Sequence, residues 1–230
     1  MIKIALAQQD FPVGDMTGNL VRAQKSIALA LEKGADLILF PEMAISGYPP
    51  EDLLLRPGFM RRCHDVMDEL VASVKGIDVV IGHPWTEGGE RFNAVSWVRD
   101  GVVLGRYFKQ ILPNYAVFDE RRYFSAGTQS LVIELQGSRI GVIICEDAWE
   151  PGPAASAKGA GAELLLVPNA SPFRDDKLKA RLDVLGERYK DCGLPVVYNN
   201  LVGGQDELVF DGRSMLMNAQ GGFSIRANSC

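Results

Sequence analysis

The chain contains several short, wholly apolar runs, and these constrain its fold more than any other feature of the sequence. Clear examples are residues 37–40, 79–81, 142–144 and 164–167. Runs of this length are typical of β-strands that are buried on both faces, and they are too short to span a bilayer. Because a strand of this kind needs cover on both sides, the runs predict a sheet that is covered by helices.

Helices are predicted between these strands. Apolar residues recur at helical spacing over residues 17–34 and again over residues 178–192, and a further helix is predicted over about residues 59–74. Gly34 is a stop signal for the first of these helices, and both Asp15 and Thr17 are candidate N-caps. Segments of this kind alternate with strands, which is typical of an α/β protein.

The middle of the chain has the pattern of antiparallel hairpins. Asp100-Gly101 separates residues 93–99 from 102–108, and this dipeptide is typical of a two-residue hairpin turn. Residues 136–138 predict a second hairpin between strands at 131–135 and 139–145. Together with the alternation, the hairpins predict one α/β or α+β domain over residues 1–230. The remaining predicted strands are residues 2–8, 79–82, 163–167, 195–198, 208–210, 214–218 and 222–226.

Composition and charge narrow the classes of function. A net charge of −5 and a pI near 5.2 argue against a nucleic-acid partner and against an anionic membrane surface. Met1 leads into a strand-like segment without a secretory signal, and the cysteines show no CxxC pairing. These cysteines are Cys63, Cys145, Cys192 and Cys230. We therefore expect a cytoplasmic protein of a reducing compartment, with no membrane partner.

Cys145 stands at the end of the apolar run 142–144 and directly before two acids, Glu146 and Asp147. Nearby negative charge disfavours a thiolate, so an isolated cysteine at this position would be less reactive than a free one. The residue is either a small buried hydrophobe, or a positive group from elsewhere in the chain compensates for the acids.

Glu42, Lys109 and Cys145 share one local pattern, because each follows a hydrophobic strand-like segment. Sites in open α/β sheets gather at the carboxyl ends of strands, so the three side chains are candidates to meet. A lysine ammonium would stabilise a thiolate and a developing oxyanion, and a carboxylate would move protons. The alternative interpretation is three unrelated polar residues at strand ends, and the pattern alone favours neither.

Other chemistries have weaker support in the sequence. A Cys-His enzyme would have to use His64 or His83, and a structural role is the stronger interpretation for both histidines. No Cys or His cluster has the spacing of metal ligands, so no metal site is predicted. Neither GxSxG nor GxxxxGK[ST] occurs in the sequence.

The segments around the three candidate residues resemble a known family. "LILFPEMAISGYPPEDLL" around Glu42, "GRYFKQILPNYAVFDERRYF" around Lys109 and "GVIICEDAWEP" around Cys145 are similar to the Glu-Lys-Cys triad of the nitrilase (carbon–nitrogen hydrolase) superfamily. With "NASPF", they further resemble the glutaminase domain of the glutamine-dependent NAD synthetases, from residue 2 to about residue 226. The resemblance implies a nitrilase-like four-layer α-β-β-α sandwich that self-associates into a homo-oligomer.

The resemblance also implies a role for each matching residue. Cys145 would attack the carboxamide carbon of glutamine, Glu42 would carry the proton, and Lys109 would stabilise the oxyanion together with a backbone N–H. Glu120 matches a second glutamate that many members place beside the lysine. The residues expected to bind or enclose the substrate are Tyr115, Ser171, Lys177 and Trp149. On residue type alone, the tyrosine and the tryptophan in this set are also compatible with core aromatic residues.

Synthetases of this family also require an ATP-pyrophosphatase domain with a Ser-Gly-Gly-x-Asp-Ser loop, and these residues contain no such loop. We therefore expect no cofactor in this domain, with ATP and magnesium bound only by a C-terminal synthetase domain of the same polypeptide. One alternative is a free-standing ω-amidase or carbamoylase of the same superfamily, which the sequence Tyr48-Pro49-Pro50 disfavours. The other is a catalytically silent binding module.

Overall fold

A computed structural model of the protein describes residues 1–229, with Ile225 and Arg226 described by their backbone alone. Cys230, one of the cysteines counted above, lies outside the described residues. The α-helices are α1 (Met16–Glu32), α2 (Pro57–Ser73), α3 (Pro151–Gly159) and α4 (Lys177–Cys192). The strands are β1 (Ile4–Leu6), β2 (Leu37–Leu39), β3 (Asp78–Glu87), β4 (Glu90–Arg99), β5 (Val102–Phe108), β6 (Leu131–Leu135), β7 (Ser138–Val142), β8 (Leu164–Asn169), β9 (Val196–Asn200), β10 (Val202–Gln205), β11 (Leu208–Asp211), β12 (Met215–Met217) and β13 (Phe223–Arg226).

The strands form two mixed sheets and a small ribbon. The first sheet has the order β1-β2-β3-β4-β5, with the first three strands parallel and the last two antiparallel. The second has the order β13-β12-β9-β8-β7-β6, with β7, β8 and β9 parallel. Strands β10 and β11 pair with each other in an antiparallel ribbon. The first sheet therefore has one parallel and one antiparallel side, whereas the second has a parallel centre with antiparallel edges.

Side chains on alternate faces of β2 explain how the layers stack. Leu37 and Leu39 are buried against the second sheet, in a core that also contains Val142 and Leu166. Ile38 points to the other face, into the core formed with α1 and α2. The outer face of the second sheet is covered by α3 and α4 through the side chains Ala157 and Leu185. The result is the predicted four-layer α-β-β-α sandwich, and the prediction of fold class is confirmed.

Local sequence signals place several of these elements as predicted. The side chain of Asp15 caps α1 by accepting a hydrogen bond from the Gly18 N–H at 3.0 Å, which decides between the candidate caps. Asp100 and Gly101 both have positive φ, at 48° and 82°, as the predicted two-residue turn between β4 and β5 requires. The second predicted hairpin is present as β6 and β7, although Ser138 already belongs to β7.

Several features differ from the sequence prediction. The strand predicted over residues 79–82 extends to Glu87 and forms a hairpin with β4. Helix α3 was not expected, because its buried face consists of small residues such as Ala154 and because prolines and glycines interrupt its apolar periodicity. The glycine-rich strand β10 was also not predicted. The strand predicted over residues 139–145 ends earlier, at Val142, and Cys145 begins a short 3-10 helix, Cys145–Ala148.

The two histidines make structural contacts. His83 is fully buried on β3, with Nδ1 3.1 Å from the Pro84 carbonyl oxygen and Nε2 2.7 Å from the Ser96 hydroxyl. His64 on α2 stacks on Trp85 with ring centres 4.2 Å apart. Burial lowers the pKa of His83 to about 3, so this ring stays neutral throughout the physiological range.

His83 should make the fold sensitive to acid. The unfolded chain protonates this residue near pH 6.5, and the folded chain only near pH 3. Its contribution to stability is therefore present above pH 6.5 and is lost as the pH falls, by about 1.4 kcal/mol per pH unit. Urea unfolding of the parent chain and of His83→Gln between pH 7.5 and 4.5 measures this, and the variant should lose about 3 kcal/mol less over that interval.

His64→Gln is the control for this prediction, because its ring is only half-buried and should affect the pH dependence less. If His83→Gln and the parent chain lose stability equally as the pH falls, the buried ring is not the source of the acid sensitivity.

Candidate active site

Glu42, Lys109 and Glu120 meet in one buried cluster. The Lys109 ammonium donates to Glu42 Oε1 and to Glu120 Oε1, with both distances 2.8 Å. Lys109 and Glu42 are each only 1% exposed. Glu42 follows β2, Lys109 follows β5 directly, and Glu120 begins a 3-10 helix, Glu120–Arg122. The ends of two strands of the first sheet therefore bring the predicted base and the predicted lysine together.

A glycine on β3 makes room for the backbone that carries Glu42. A Cβ atom at Gly82 would lie 2.5 Å from the Met43 nitrogen and 2.8 Å from the Glu42 Cα. The Gly82 carbonyl also accepts a hydrogen bond from the Ile45 N–H at 3.2 Å. The close approach of these two segments thus requires glycine at this position.

Two residues that the sequence analysis missed complete this cluster. The Asn93 side-chain amide on β4 donates to Glu42 Oε1 at 2.7 Å, and the Tyr48 hydroxyl donates to Glu120 Oε1 at 2.9 Å. The signal for Asn93 was a polar residue within a strand whose other central residues are buried and mostly apolar. The backbone carbonyl of Asn93 also accepts a hydrogen bond from the backbone N–H of Lys109 at 2.9 Å, so strand pairing places the two residues side by side.

The second sheet contributes to the same cluster from the opposite side. After β8, the Ala170 N–H donates to Glu42 Oε2 at 2.9 Å. Both oxygens of this carboxylate are therefore held, one by Lys109 and Asn93 and the other by backbone. An ionised carboxylate offers about four acceptor positions, so Glu42 keeps capacity to accept a proton.

Burial and mutual charge set the protonation of the cluster. Burial by itself lowers the pKa of Lys109, but the Glu120 and Glu42 carboxylates raise it well above its usual range. Burial raises the pKa of Glu120 to about 7; the Lys109 charge opposes this shift and the Glu42 charge adds to it. Lys109 therefore stays an ammonium, and Glu120 is only partly ionised near neutral pH.

Cys145 is held in a strained turn next to this cluster. Its φ is 45°, in the left-handed region that side chains rarely adopt, and such strain is typical of functional residues. Burial raises the pKa of its thiol well above the usual range, Glu42 adds to the shift, and Lys109 opposes it. The compensating positive charge expected from the sequence is therefore Lys109, but it does not outweigh burial. The resting thiol is protonated and needs a base.

The two acids after the cysteine point in different directions. Glu146 is partly exposed, and its Oε1 accepts a hydrogen bond from the Tyr115 hydroxyl at 2.7 Å; we call this solvent-facing side of Cys145 the entrance. Asp147 is fully buried and accepts hydrogen bonds from backbone N–H groups, including that of Ile144 at 2.9 Å. Only Glu146 is therefore available to a molecule that approaches the cysteine.

Tyr115, Trp149 and Lys177 surround this entrance. The Lys177 ammonium lies 4.0 Å from the centre of the Trp149 ring, a cation–π contact. Burial lowers the pKa of Lys177, while the nearby Cys145 and Glu146 groups act in the opposite direction. Tyr115 is 51% exposed and is thus not a core aromatic residue. The structure brings these predicted substrate residues to the cysteine.

Ser171 lies deeper than the other predicted substrate residues. It follows Ala170, and its hydroxyl accepts a hydrogen bond from Arg181 Nε at 3.2 Å. The Arg181 guanidinium also donates to the Ser171 carbonyl at 2.7 Å and forms a buried ion pair with Asp211 at 2.9 Å. Among the described hydrogen bonds, none joins Ser171 to Tyr115 or Lys177. Ser171 is therefore connected to the site by its neighbour in the chain, Ala170, whose backbone N–H contacts Glu42.

A cleft of about 290 Å³ opens beside the buried cluster, and Tyr48, Phe118, Glu120 and Tyr123 are among its lining residues. Cys145 does not line this cleft, so the cleft approaches the cluster from the side of Glu120.

Within residues 1–229, no group of three or more His, Cys, Asp or Glu side chains could hold a metal ion. None of the helices in the described part of the chain is long and apolar enough to cross a membrane.

Lys109 should control the reactivity of Cys145. Lys109→Met removes the positive charge that opposes the rise of the Cys145 pKa, so labelling by iodoacetamide at pH 7.5 should slow by about tenfold or more. Mass spectrometry of the modified cysteine measures the rate. Lys179→Met is the matched control, since that lysine is 81% exposed and pairs with Asp183.

The double variant Lys109→Met/Glu120→Gln keeps the test usable if Lys109→Met does not fold. It removes one buried carboxylate together with the ammonium, so less buried charge is left unpaired. It should fold and should still be labelled slowly. Unchanged labelling in a folded Lys109→Met protein would remove this lysine from the site.

Comparison with known proteins gives one family and a consistent set of relatives. Residues 3–229 match the family model "Carbon-nitrogen hydrolase". The glutamine-dependent NAD(+) synthetase of Xanthomonas campestris pv. campestris (strain 8004) is 48% identical over 223 residues, which are 96% of this chain and 40% of that protein. That of Acinetobacter baylyi is 44% identical over 228 residues, 99% of this chain and 42% of that protein. The chain thus spans about two fifths of these curated relatives.

Solved structures give the same result for the fold. Glutamine-dependent NAD+ synthetase from Acinetobacter baumannii, in complex with adenosine diphosphate, matches with a TM-score of 0.95 and 41% identity over 99% of this chain and 43% of that chain. An amidase of the nitrilase superfamily from Nesterenkonia AN1 matches with a TM-score of 0.88 and 26% identity, over 100% of this chain and 87% of that chain.

Proposed function

Because the chain belongs to the carbon–nitrogen hydrolase family, we propose that it hydrolyses the side-chain amide of glutamine to glutamate and ammonia through a cysteine thioester. The observation that carries this proposal is the buried Glu42–Lys109 pair beside a protonated Cys145. The relatives named glutamine-dependent NAD(+) synthetases support glutamine as the substrate. The family itself was predicted from the sequence, and that prediction is confirmed.

Acylation begins with the neutral thiol. Glu42 takes the thiol proton as the Cys145 sulfur attacks the carboxamide carbon. The carbonyl oxygen becomes an oxyanion, which the Lys109 ammonium and the Glu146 backbone N–H stabilise. Glu42 then gives its proton to the amide nitrogen, the carbon–nitrogen bond breaks, and ammonia leaves. The product of this half-reaction is a glutamyl thioester on Cys145.

Deacylation uses the same residues in the same roles. A water molecule attacks the thioester carbon while Glu42 takes one of its protons. The second oxyanion forms at the same place, and its collapse expels the Cys145 sulfur. Glu42 returns the proton to that sulfur, so glutamate leaves and the enzyme regains its starting state.

Opposite charges at the entrance support an amino acid as the substrate. Free glutamine carries an ammonium and a carboxylate, both distant from the amide that reacts. Glu146 supplies an anion held by Tyr115, and Lys177 supplies a cation held over Trp149. In this proposal Glu146 receives the α-ammonium group and Lys177 the α-carboxylate. The sequence analysis treated Glu146 only as a charge that disfavours the thiolate and did not propose it as a binding residue.

The ammonia is proposed to serve NAD synthesis in the whole protein. Because the chain spans about two fifths of its curated relatives, we propose that a C-terminal synthetase domain of the same polypeptide consumes the ammonia. That domain would convert deamido-NAD to NAD, and it would bind ATP and magnesium. Assembly into a homo-oligomer and a cytoplasmic location stay predictions.

Cys145→Ser should abolish the reaction, because a serine hydroxyl is much harder to deprotonate than a thiol. We expect glutamine hydrolysis to fall by about a thousandfold or more, measured as released ammonia. The control is Cys63→Ala, which removes a buried thiol on α2 away from the site. A Cys145→Ser protein that hydrolyses glutamine at nearly the parent rate would contradict the mechanism. A parent chain that hydrolyses neither glutamine nor simple amides would favour the silent binding module.

Glu146→Gln and Lys177→Met should separate a glutaminase from a simple amidase. Each variant loses one charged contact with the amino acid, so KM for glutamine should rise by about 10- to 100-fold. The kcat/KM for butyramide, which lacks both charges, should stay within about threefold of the parent value. An equal loss of kcat/KM for glutamine and butyramide would mean that the two residues do not bind the α-ammonium and α-carboxylate groups. It would favour the amidase alternative.

A further inference from the structure

Asp147 accepts hydrogen bonds on both carboxylate oxygens, although it is 0% exposed. Its Oδ1 accepts from the Gln110 N–H at 3.0 Å and from the Ile111 N–H at 2.7 Å. Its Oδ2 accepts from the Ile144 N–H at 2.9 Å and from the Tyr107 hydroxyl at 2.8 Å. All four partners are donors, so the side chain acts here only as an acceptor.

These donors come from two segments that belong to different sheets. Ile144 directly precedes Cys145, in the turn that follows β7 of the second sheet. Gln110 and Ile111 directly follow Lys109, at the end of β5 of the first sheet. Among the described residues, no backbone–backbone hydrogen bond joins residues 107–112 to residues 142–149. At this place one carboxylate links the two segments that carry the nucleophile and the lysine.

We propose that Asp147 is a positioning residue, whose carboxylate sets the distance between Cys145 and Lys109 by holding both backbones. The residue does not touch the reacting atoms in this role. It fixes the left-handed turn of the nucleophile and keeps the lysine segment in register with it. A displacement of about 1 Å at such a site costs on the order of 100-fold in rate, so a rigid link has a large effect on catalysis.

The charge of the side chain is part of the role. Burial raises the pKa of Asp147 to about 6, and the hydrogen bonds from Ile144, Ile111 and Tyr107 together with the Lys109 charge act against that rise. Near neutral pH the group is therefore mostly a carboxylate. An asparagine has almost the same shape, but its NH₂ group would face N–H and O–H donors and would leave them without an acceptor.

The test compares Asp147→Asn with a matched control in the same fold. The control is Asp78→Asn, because Asp78 is also a buried carboxylate and accepts from Trp97 Nε1 at 2.6 Å and from the Arg99 guanidinium at 2.7 Å. Asp78 begins β3, at the opposite end of the sheet from Glu42. Both variants should lower Tm, since both leave buried donors unsatisfied.

The rate of Cys145 labelling by iodoacetamide, measured well below the Tm of every variant, is the first readout. Asp147→Asn should slow labelling by about tenfold or more, whereas Asp78→Asn should leave it within about twofold of the parent rate. Tyr107→Phe removes one of the hydrogen bonds without changing the packing of the ring, and should give an intermediate rate. Since this readout needs no substrate, it decides about Asp147 even if glutamine is not hydrolysed.

The second readout rests on the proposed function. In Asp147→Asn, kcat for glutamine should fall by about 100-fold, and KM should change by much less. Equal labelling rates in Asp147→Asn and the parent chain, or an equal loss in Asp78→Asn, would overturn the proposal. If Asp147→Asn does not fold, Tyr107→Phe decides: parent-like labelling by that variant would also overturn it. A parent chain inactive on glutamine, with labelling slowed as expected, would refute the substrate but not the positioning role.

Discussion

The structure depends on one buried ammonium held between two carboxyl groups. Taking a charge of this kind out of water costs several kcal/mol, which only close and complete pairing offsets. Lys109 achieves this pairing with two contacts of 2.8 Å, to Glu42 and to Glu120. Removal of Lys109 would leave the Glu42 and Glu120 carboxyl groups buried without a compensating positive charge. The cluster therefore constrains both the chemistry and the packing around it.

The partial protonation of Glu120 fits the same constraint. Two full negative charges beside one positive charge would leave the buried cluster with a net negative charge next to Cys145. The rise of the Glu120 pKa to about 7 reduces this excess, and the Tyr48 hydroxyl and Asn93 amide hold the carboxyl oxygens in place. Glu42 accepts hydrogen bonds from both sheets, from Asn93 on β4 and from the Ala170 N–H after β8. The geometry thus gives the two glutamates different environments.

Much of this arrangement follows from local sequence signals, and the remainder depends on contacts between distant segments. The apolar runs predict the buried strands, and strand ends predict that Glu42, Lys109 and Cys145 are candidates to meet. Glu120 came only from the resemblance, since nothing in its own segment marks it. Asn93 and Tyr48 were missed because their partners lie 51 and 72 residues away along the chain. No periodicity or spacing rule reports a contact of that kind.

The two acids after the cysteine are a further case in which the sequence pattern does not predict what surrounds a side chain. Glu146 and Asp147 are adjacent in sequence, so the pattern treats them as equivalent negative charges near the thiol. In the 3-10 helix that begins at Cys145, neighbouring side chains point in different directions. One acid therefore lies at the entrance beside Tyr115, and the other lies among backbone donors. Their different surroundings come from the turn itself, of which the predicted strand 139–145 included only the first residue, Cys145.

The raised pKa of Cys145 is consistent with the proposed chemistry rather than an obstacle to it. A permanent thiolate would be open to oxidants and alkylating agents at all times, whereas a protonated thiol is a poor nucleophile. Glu42 can remove the proton when a carbonyl carbon is in place to accept the sulfur electrons. The same proton is then available for the nitrogen that must leave as ammonia. Burial, with the Glu42 charge adding to it, keeps the thiol protonated until that point. In the proposed mechanism, activation of the nucleophile is therefore coupled to departure of the leaving group.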